Sequence, residues 1–191
     1  RDITINGVLD IPTLTARAAA RWGERTAITF DETDERLSFL AVETQSNRIA
    51  NALIAHGVRP TDRVALMLRN RPEFPLSWIG IVKAGAVTVP LNVFYKTTDA
   101  GYLLNRAGVT RISCEEDLMH VVAKAVPSLV KNDAIITVGS KGSFNALLSD
   151  SPIDSPPITI TPESLANLQY TSGTTGQPKG CMLSNSYFMN F

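Results

Sequence analysis

The sequence has few features of a secreted or membrane-spanning protein. It contains only two cysteines among 191 residues, Cys114 and Cys181, which lie far apart in the chain. Its apolar runs, such as residues 64–68, are much shorter than the roughly 20 residues that a transmembrane helix needs. No charged segment followed by an apolar one marks a signal peptide near the amino terminus. We therefore expect a cytoplasmic protein with reduced thiols and no membrane span.

Neither sign of charge is in excess, and metal-binding residues are sparse. The 18 basic and 18 acidic residues cancel, and no dense basic cluster is present, which argues against a nucleic-acid partner. His56 and His120 lack the neighbouring Cys, His or carboxylate residues of a metal site, so we expect no structural metal. The hydrophobic content of 44% is sufficient for a globular core.

Apolar spacing predicts strands that alternate with helices. For example, Val42, Ile49 and Leu53 share one face of a predicted helix that begins after Ser38, a suitable N-cap, and ends at Gly57. Further helices are predicted at 14–22, after Pro72 as far as Gly85, at 97–107 with Gly108 after it, and at 117–130, the last being ended or kinked by Pro127. Strands are predicted at 27–30, 63–68, 86–90, 110–114, 134–138 and 166–170, with polar turn DETDE at 31–35.

This alternation indicates an α/β fold with a mostly parallel sheet and flanking helices, because parallel strands need a crossover helix. The proline- and serine-rich stretch 149–162 is interpreted as a connecting loop. Several other residues that could contact a ligand are interpreted as structural: Trp22, Phe74, Trp78, Lys83, Gly85, Pro90 and Asn92. Cys181 is expected to be a buried thiol in the core.

The segment from Thr171 to Gly180 holds no aliphatic side chain. Its glycines allow a close backbone approach, its hydroxyls can donate to oxyanions, and Lys179 adds a positive charge. This combination is typical of a loop that holds a polyphosphate, although an exposed turn has a similar composition. The lysine follows Pro178 and precedes Gly180, which differs from a Walker A loop, and no GxGxxG follows a predicted strand.

The string YTSGTTGQPKG at 170–180 closely resembles the signature of the adenylate-forming superfamily. That superfamily includes acyl-CoA synthetases, peptide-synthetase adenylation domains and beetle luciferases. Two upstream segments, LSFLAVETQSNRIANAL from Leu37 and VKAGAVTVPLN from Val82, are similar to its first and second conserved regions. The resemblance covers the chain from Ile11 onward. It implies that residues 1–191 are a partial AMP-binding domain, an incomplete N-terminal piece of the acyl-CoA synthetase-like fold without the C-terminal domain.

The resemblance also implies a role for each residue of the motif. The residues that would hold the β- and γ-phosphates of ATP are Thr171, Ser172, Gly173, Thr174, Thr175 and Gly176, with Lys179 supporting or orienting them. The catalytic residues of the family are expected downstream of Phe191. In the family a carboxylate attacks the α-phosphate of Mg-ATP to give an acyl-adenylate, and a thiol, often coenzyme A, then takes the acyl group.

The full-length protein to which these residues belong is therefore expected to be an acyl-CoA synthetase that binds ATP, Mg²⁺, a small carboxylate and coenzyme A. Within the superfamily, VPLNVFYKTTDAGYLLNRAGV from Val89 resembles the acyl-CoA ligase branch more closely than peptide synthetases. The 191 residues alone are expected to be inactive and, because the predicted sheet has an unpaired edge, to self-associate as a homo-oligomer. The alternatives are a short nucleotide-binding or interaction module without catalysis and, disfavoured by the missing GK[ST] pair, a P-loop NTPase.

Overall fold

Helices and strands alternate along most of the chain in a computed structural model, which describes residues 7, 10–171 and 178–190. The helices are α1 (Ile11–Trp22), α2 (Phe39–Ala55), α3 (Glu73–Lys83), α4 (Thr97–Ala107), α5 (Met119–Ala125), α6 (Pro127–Lys131), α7 (Phe144–Leu148) and α8 (Asn185–Met189). The strands are β1 (Thr26–Phe30), β2 (Glu35–Ser38), β3 (Arg63–Met67), β4 (Val87–Pro90), β5 (Arg111–Glu115), β6 (Ile135–Val138), β7 (Leu165–Thr171) and β8 (Lys179–Ser184).

The main sheet has the strand order β6-β5-β3-β4-β7-β8 within the described residues. Strands β3, β4, β5, β6 and β7 run parallel, with Val64 of β3 in register with Thr88 of β4 on one side and Arg111 of β5 on the other. Helices cover both faces of this sheet. The predicted α/β class and the mostly parallel sheet are confirmed.

Two antiparallel pairs depart from the predicted alternation. β1 pairs with β2, so Glu35 begins a strand at a position where only a polar turn was predicted. β8 returns directly alongside β7 after the seven residues 172–178. A parallel return would need a crossover of a dozen or more residues, so this short connection requires an antiparallel pair.

Helix boundaries follow the capping residues named from the sequence. The Ser38 hydroxyl accepts a hydrogen bond from the Ala41 amide at 3.0 Å and begins α2. Gly108 ends α4 in the left-handed conformation, where a side chain would be strained. The helix predicted at 117–130 is divided at Val126, which has φ −139° and ψ 80°, because Pro127 lacks an amide hydrogen and disfavours a helical residue before it.

The core forms two apolar layers, one on each face of the main sheet. On one face, α2 and α3 contribute Ile49, Leu53 and Ile81 to a cluster with Leu66 of β3. On the other face, helices α4 and α5 pack on β3, β4 and β5. Leu103 and Leu104 of α4 and Val122 of α5 form this cluster with Met67 of β3 and Val89 of β4.

Lys83 is buried and has a structural role, as predicted. Its Nζ atom lies 2.7 Å from both Glu43 Oε2 and Asn47 Oδ1, which joins α3 to α2. Burial lowers the pKa of Lys83, and the Glu43 carboxylate opposes this effect. Asn47 also donates to the Ile153 carbonyl at 3.0 Å, so the same cluster holds the proline-rich loop against α2.

Close approach of α2 and α3 depends on Gly80. A Cβ atom at this position would lie 2.7 Å from Ile49 Cγ2 and 3.0 Å from the Ser46 carbonyl oxygen. We predict that Gly80→Ala lowers the free energy of unfolding by about 1–3 kcal/mol through overpacking, as measured by urea denaturation.

Gly101 of α4 provides the matched control, since its nearest neighbour would be the Ala125 carbonyl oxygen at 3.3 Å. Gly101→Ala should leave stability within about 1 kcal/mol of the starting protein, because the gain in helix propensity offsets the tighter contact. Equal effects of the two substitutions would contradict this account of the helix pair.

Candidate functional site

The carboxyl ends of β3, β4, β5 and β7 share one edge of the main sheet. Connections leave β3 toward β4 and leave β5 toward β6, in opposite directions along the sheet. In open α/β sheets, ligands often bind in the crevice that such a reversal creates. The crevice between β3 and β5 is therefore a candidate ligand-binding site.

Ion pairs bridge this crevice. Arg69, just after β3, donates from its amide to Glu115 Oε1 at 2.6 Å and from Nη1 to Glu115 Oε2 at 2.7 Å. Its Nη2 atom also donates to Asp117 Oδ2 at 2.9 Å, and this bond lowers the pKa of the Asp117 carboxyl. The charged groups at the crevice satisfy one another, so the end of β7 is the better candidate for a ligand site.

At the end of β7, strand pairing brings the two described residues of the predicted phosphate site together. Thr171, the last residue of β7, lies opposite Lys179, the first residue of β8. Directly opposed residues of an antiparallel pair point to the same face. Both residues are exposed, and Lys179 forms no ion pair with any described residue.

Tyr170 and Gly180 form the next pair of the hairpin. A Cβ atom on Gly180 would lie 3.3 Å from the Tyr170 ring and 3.0 Å from Leu168 Cδ1. The Tyr170 ring packs into the apolar layer beside α4, and this burial raises the pKa of its hydroxyl. The aromatic and glycine residues that end the YTSGTTGQPKG string, Tyr170 and Gly180, thus have a packing role.

The opposite face of β7 is attached to α3. Trp78 Nε1 donates to Asn167 Oδ1 at 3.0 Å, and the Trp78 ring meets Phe188 of α8 edge-on with 5.1 Å between centroids. Asn167 is buried. Sequence reasoning missed Asn167, although a polar residue inside an apolar strand pattern is a signal for a buried hydrogen bond.

Asn185 attaches the base of the hairpin to α1. Its Oδ1 atom accepts from the Ile11 amide at 3.1 Å, and its Nδ2 atom donates to the Ser164 carbonyl at 3.0 Å. It is fully buried, and its own amide also donates to the Ser164 carbonyl at 2.9 Å. Sequence reasoning missed this residue too, because its partners are 21 and 174 positions away.

An apolar cleft of about 560 Å³ lies between this face of the hairpin and helices α1, α3 and α8. Asn167 and Gln169 provide its polar wall. Apolar lining residues include Ile11, Leu14, Phe74, Trp78, Leu183 and Phe188.

Comparison with models of known protein families gives a match that spans most of the chain. The model of the AMP-binding enzyme family matches residues 15–191, which include all of β7 and β8. The chain belongs to the AMP-binding enzyme family.

The sequence relatives of this chain include both synthases or synthetases of peptides and CoA ligases. Surfactin synthase subunit 1 of Bacillus subtilis is 30% identical over 90% of this chain and 5% of its own length. The medium/long-chain-fatty-acid--CoA/3-oxocholest-4-en-26-oate--CoA ligase of Mycobacterium marinum is 32% identical over 78% of this chain and 30% of its own length.

The solved structures agree on the fold. The inhibitor-bound N-terminal domain of FACL13 from Mycobacterium tuberculosis superposes with a TM-score of 0.82 at 26% identity, over 92% of this chain and 44% of that one. The predicted resemblance to the N-terminal part of acyl-CoA synthetase-like proteins is confirmed. The chain spans less than half the length of these relatives.

Of the residues predicted to hold the β- and γ-phosphates of ATP, the structure places Thr171 opposite Lys179, whereas Ser172, Gly173, Thr174, Thr175 and Gly176 lie outside the described residues. The described part of the chain contains no group of three or more His, Cys, Asp or Glu residues suited to a metal ion. No described helix is long and apolar enough to cross a membrane.

The expectation of a buried Cys181 is wrong. This residue lies on β8 opposite Gln169 and is exposed, because β8 is the outer strand of the described sheet. Cys114, by contrast, is buried on β5. Burial raises the pKa of the Cys114 thiol to about 12.

The two thiols should therefore react very differently. We predict that iodoacetamide at pH 8 alkylates Cys181 in the folded protein and leaves Cys114 unmodified, because only the thiolate reacts and Cys114 is both inaccessible and protonated. Peptide mass spectrometry measures both sites, and labelling in urea is the control in which both react. Similar rates at the two cysteines of the folded chain would show the burial assignment to be incorrect.

Proposed function

We propose that the protein is the partial N-terminal domain of an ATP-dependent, carboxylate-activating ligase. The ligase forms an acyl-adenylate and then an acyl-CoA thioester. The observation that carries this proposal is the hairpin pair Thr171 and Lys179, which brackets the TSGTTGQPK segment at the carboxyl edge of the sheet. Family membership supports the adenylate-forming chemistry.

In this proposal, the segment binds the β- and γ-phosphates of ATP. The Thr171 hydroxyl donates to a phosphate oxygen, and the hydroxyls and amides of Ser172, Thr174 and Thr175 add further donors. The Lys179 ammonium group neutralises part of the polyphosphate charge. Donors held in position in this way stabilise charge that develops on the leaving pyrophosphate.

The donors at this hairpin suit phosphate oxygens and not a metal ion. Hydroxyl and ammonium groups predominate there, and the described residues offer no carboxylate cluster to Mg²⁺. We propose that this segment would hold ATP and that Mg²⁺, when present with the nucleotide, would supply charge neutralisation.

The proposed acceptor is coenzyme A. Structural relatives such as the anthranilate CoA ligase AuaEII, solved with anthranoyl-AMP, support this choice (TM-score 0.81, 25% identity, 93% of this chain and 34% of that one). Peptide synthetases among the sequence relatives favour a second candidate, in which a carrier-protein thiol takes the acyl group. Transfer from a preformed acyl-adenylate by the full-length ligase, offered coenzyme A or a carrier domain in turn, separates these two functions.

The role of Lys179 can be tested by ATP titration calorimetry on the 191-residue chain. Lys179→Ala should weaken binding about 10- to 100-fold, the loss expected for one charge-assisted donor of about 1.5–3 kcal/mol. Lys131→Ala removes an equally exposed lysine from α6 and is expected to leave the affinity unchanged. Equal affinities of the two variants would remove Lys179 from the site.

We also propose that the catalytic groups lie outside residues 1–191, so that this chain binds nucleotide without activating a carboxylate. ATP–pyrophosphate exchange with a panel of carboxylic acids measures activation directly. The expected result is no exchange by the 191-residue chain and robust exchange by the full-length ligase. Exchange by the short chain would refute its proposed inactivity, and its absence from the full-length protein would favour a binding module.

A further inference from the structure

We propose that Asn185 is a positioning residue that sets the register of the β7–β8 hairpin and thereby the face on which Lys179 lies. The consequence for phosphate binding rests on the function proposed above. The register itself does not depend on that function.

The composition of β8 gives its register little support. Four consecutive residues of this strand, Lys179, Gly180, Cys181 and Met182, are exposed. Register is strongly specified where one face of a strand is buried, and weakly specified in exposed, glycine-containing strands. Burial of β8 side chains therefore cannot by itself select one alignment with β7.

A slip of one residue would be costly for the site. Side chains alternate between the two faces of a strand, so a one-residue shift moves each of them to the other face. Lys179 would then leave the face that Thr171 occupies. A residue other than Gly180 would also be brought beneath the Tyr170 ring, where a Cβ atom would lie 3.3 Å from the ring and 3.0 Å from Leu168 Cδ1, so that these side chains would have to shift.

Asn185 is placed where it selects the native alignment. It directly follows β8, and Ser164 directly precedes β7. The Ser164 carbonyl accepts both the amide and Nδ2 of Asn185, at 2.9 and 3.0 Å, which closes the open end of the hairpin. The third bond, from the Ile11 amide to Asn185 Oδ1, ties that end to α1.

A shift of β8 by one residue would move Asn185 away from both partners. Its buried amide would then lose hydrogen bonds in a place that water does not reach. The bulge between Leu165 and Asn167 lies next to the hydrogen bonds between Asn185 and Ser164. It accommodates one extra residue of β7, so that the pairs beyond it remain aligned.

The natural Cys181 provides a direct measurement of the register. It lies opposite Gln169, and residues opposed in an antiparallel pair have Cα separations of about 4.5–5.5 Å, within the range that a disulfide spans. In Gln169→Cys protein, oxidised glutathione should form the 169–181 disulfide with release of reduced glutathione. In a slipped hairpin, Cys181 would face away from position 169.

We expect Gln169→Cys/Asn185→Leu protein to form this disulfide about tenfold more slowly than Gln169→Cys protein. Mass spectrometry after thiol quenching measures the rate. If Asn185→Leu protein does not fold, Asn185→Asp is used, since it keeps the acceptor for Ile11 and loses the donor to Ser164. The destabilised control is Val122→Ala, which opens a cavity on α5 in the same apolar layer as Leu168 but keeps every hydrogen bond of Asn185, and it should leave the rate unchanged.

Equal disulfide rates with and without the Asn185 substitution would overturn the proposal, as would an equal slowing by Val122→Ala. A second readout is ATP affinity, which Asn185→Leu should weaken about tenfold while Val122→Ala leaves it unchanged. If the unsubstituted chain binds no ATP, the proposed function fails, but the disulfide rates still decide whether Asn185 sets the register.

Discussion

The antiparallel pairing of β7 with β8 is the interaction on which the candidate site depends. It brings Thr171 and Lys179 together and places Tyr170 over Gly180. The parallel strands are joined by helices, whereas this pair is joined by only the seven residues 172–178. A short connection, rich in hydroxyl-bearing residues and glycine, therefore joins these two strands at the edge where the other strands of the main sheet lead into helices.

The remaining parts of the molecule hold this hairpin from both sides. Leu168 and Tyr170 pack into the layer formed with α4, while Asn167 bonds to Trp78 of α3 on the opposite face. Helix α3 is in turn joined to α2 by the close contact at Gly80 and by the buried Lys83 and Glu43 pair. In other proteins, such a buried ion pair can often be replaced by apolar residues. Removal of only one partner, however, leaves a buried charge without a partner and is destabilising.

The sequence predicted local features well, because their causes are local. Ser38, Gly108 and Pro127 act through the backbone within a few residues of their own positions, and each marks a boundary where it was expected. The YTSGTTGQPKG string likewise predicted the family, which the match over residues 15–191 confirms. Alternation of helices and strands was sufficient for the fold class.

Features that depend on distant partners were missed. Two of the four residues of strand β2 are charged, and the strand forms through its pairing with β1. Cys181 is exposed because β8 is an outer strand of the described sheet. Asn167 and Asn185 acquire their roles only when α3 and α1 pack against the hairpin. The ion pairs of Arg69 similarly require β3 and β5 to be neighbours, although β4 lies between them in sequence.

The hydrogen bond between Trp78 and Asn167 should make the fluorescence of Trp78 sensitive to changes in β7. Indole emission depends on the polarity and hydrogen bonding around the ring, and Trp78 is attached through Nε1 to the strand that leads into Thr171. Trp22 is stacked near Phe39, 4.9 Å between centroids, at the far end of α1 from Ile11. The emission of Trp78 should therefore respond to changes in β7, the strand that ends at Thr171, whereas Trp22 packs on Phe39 of α2.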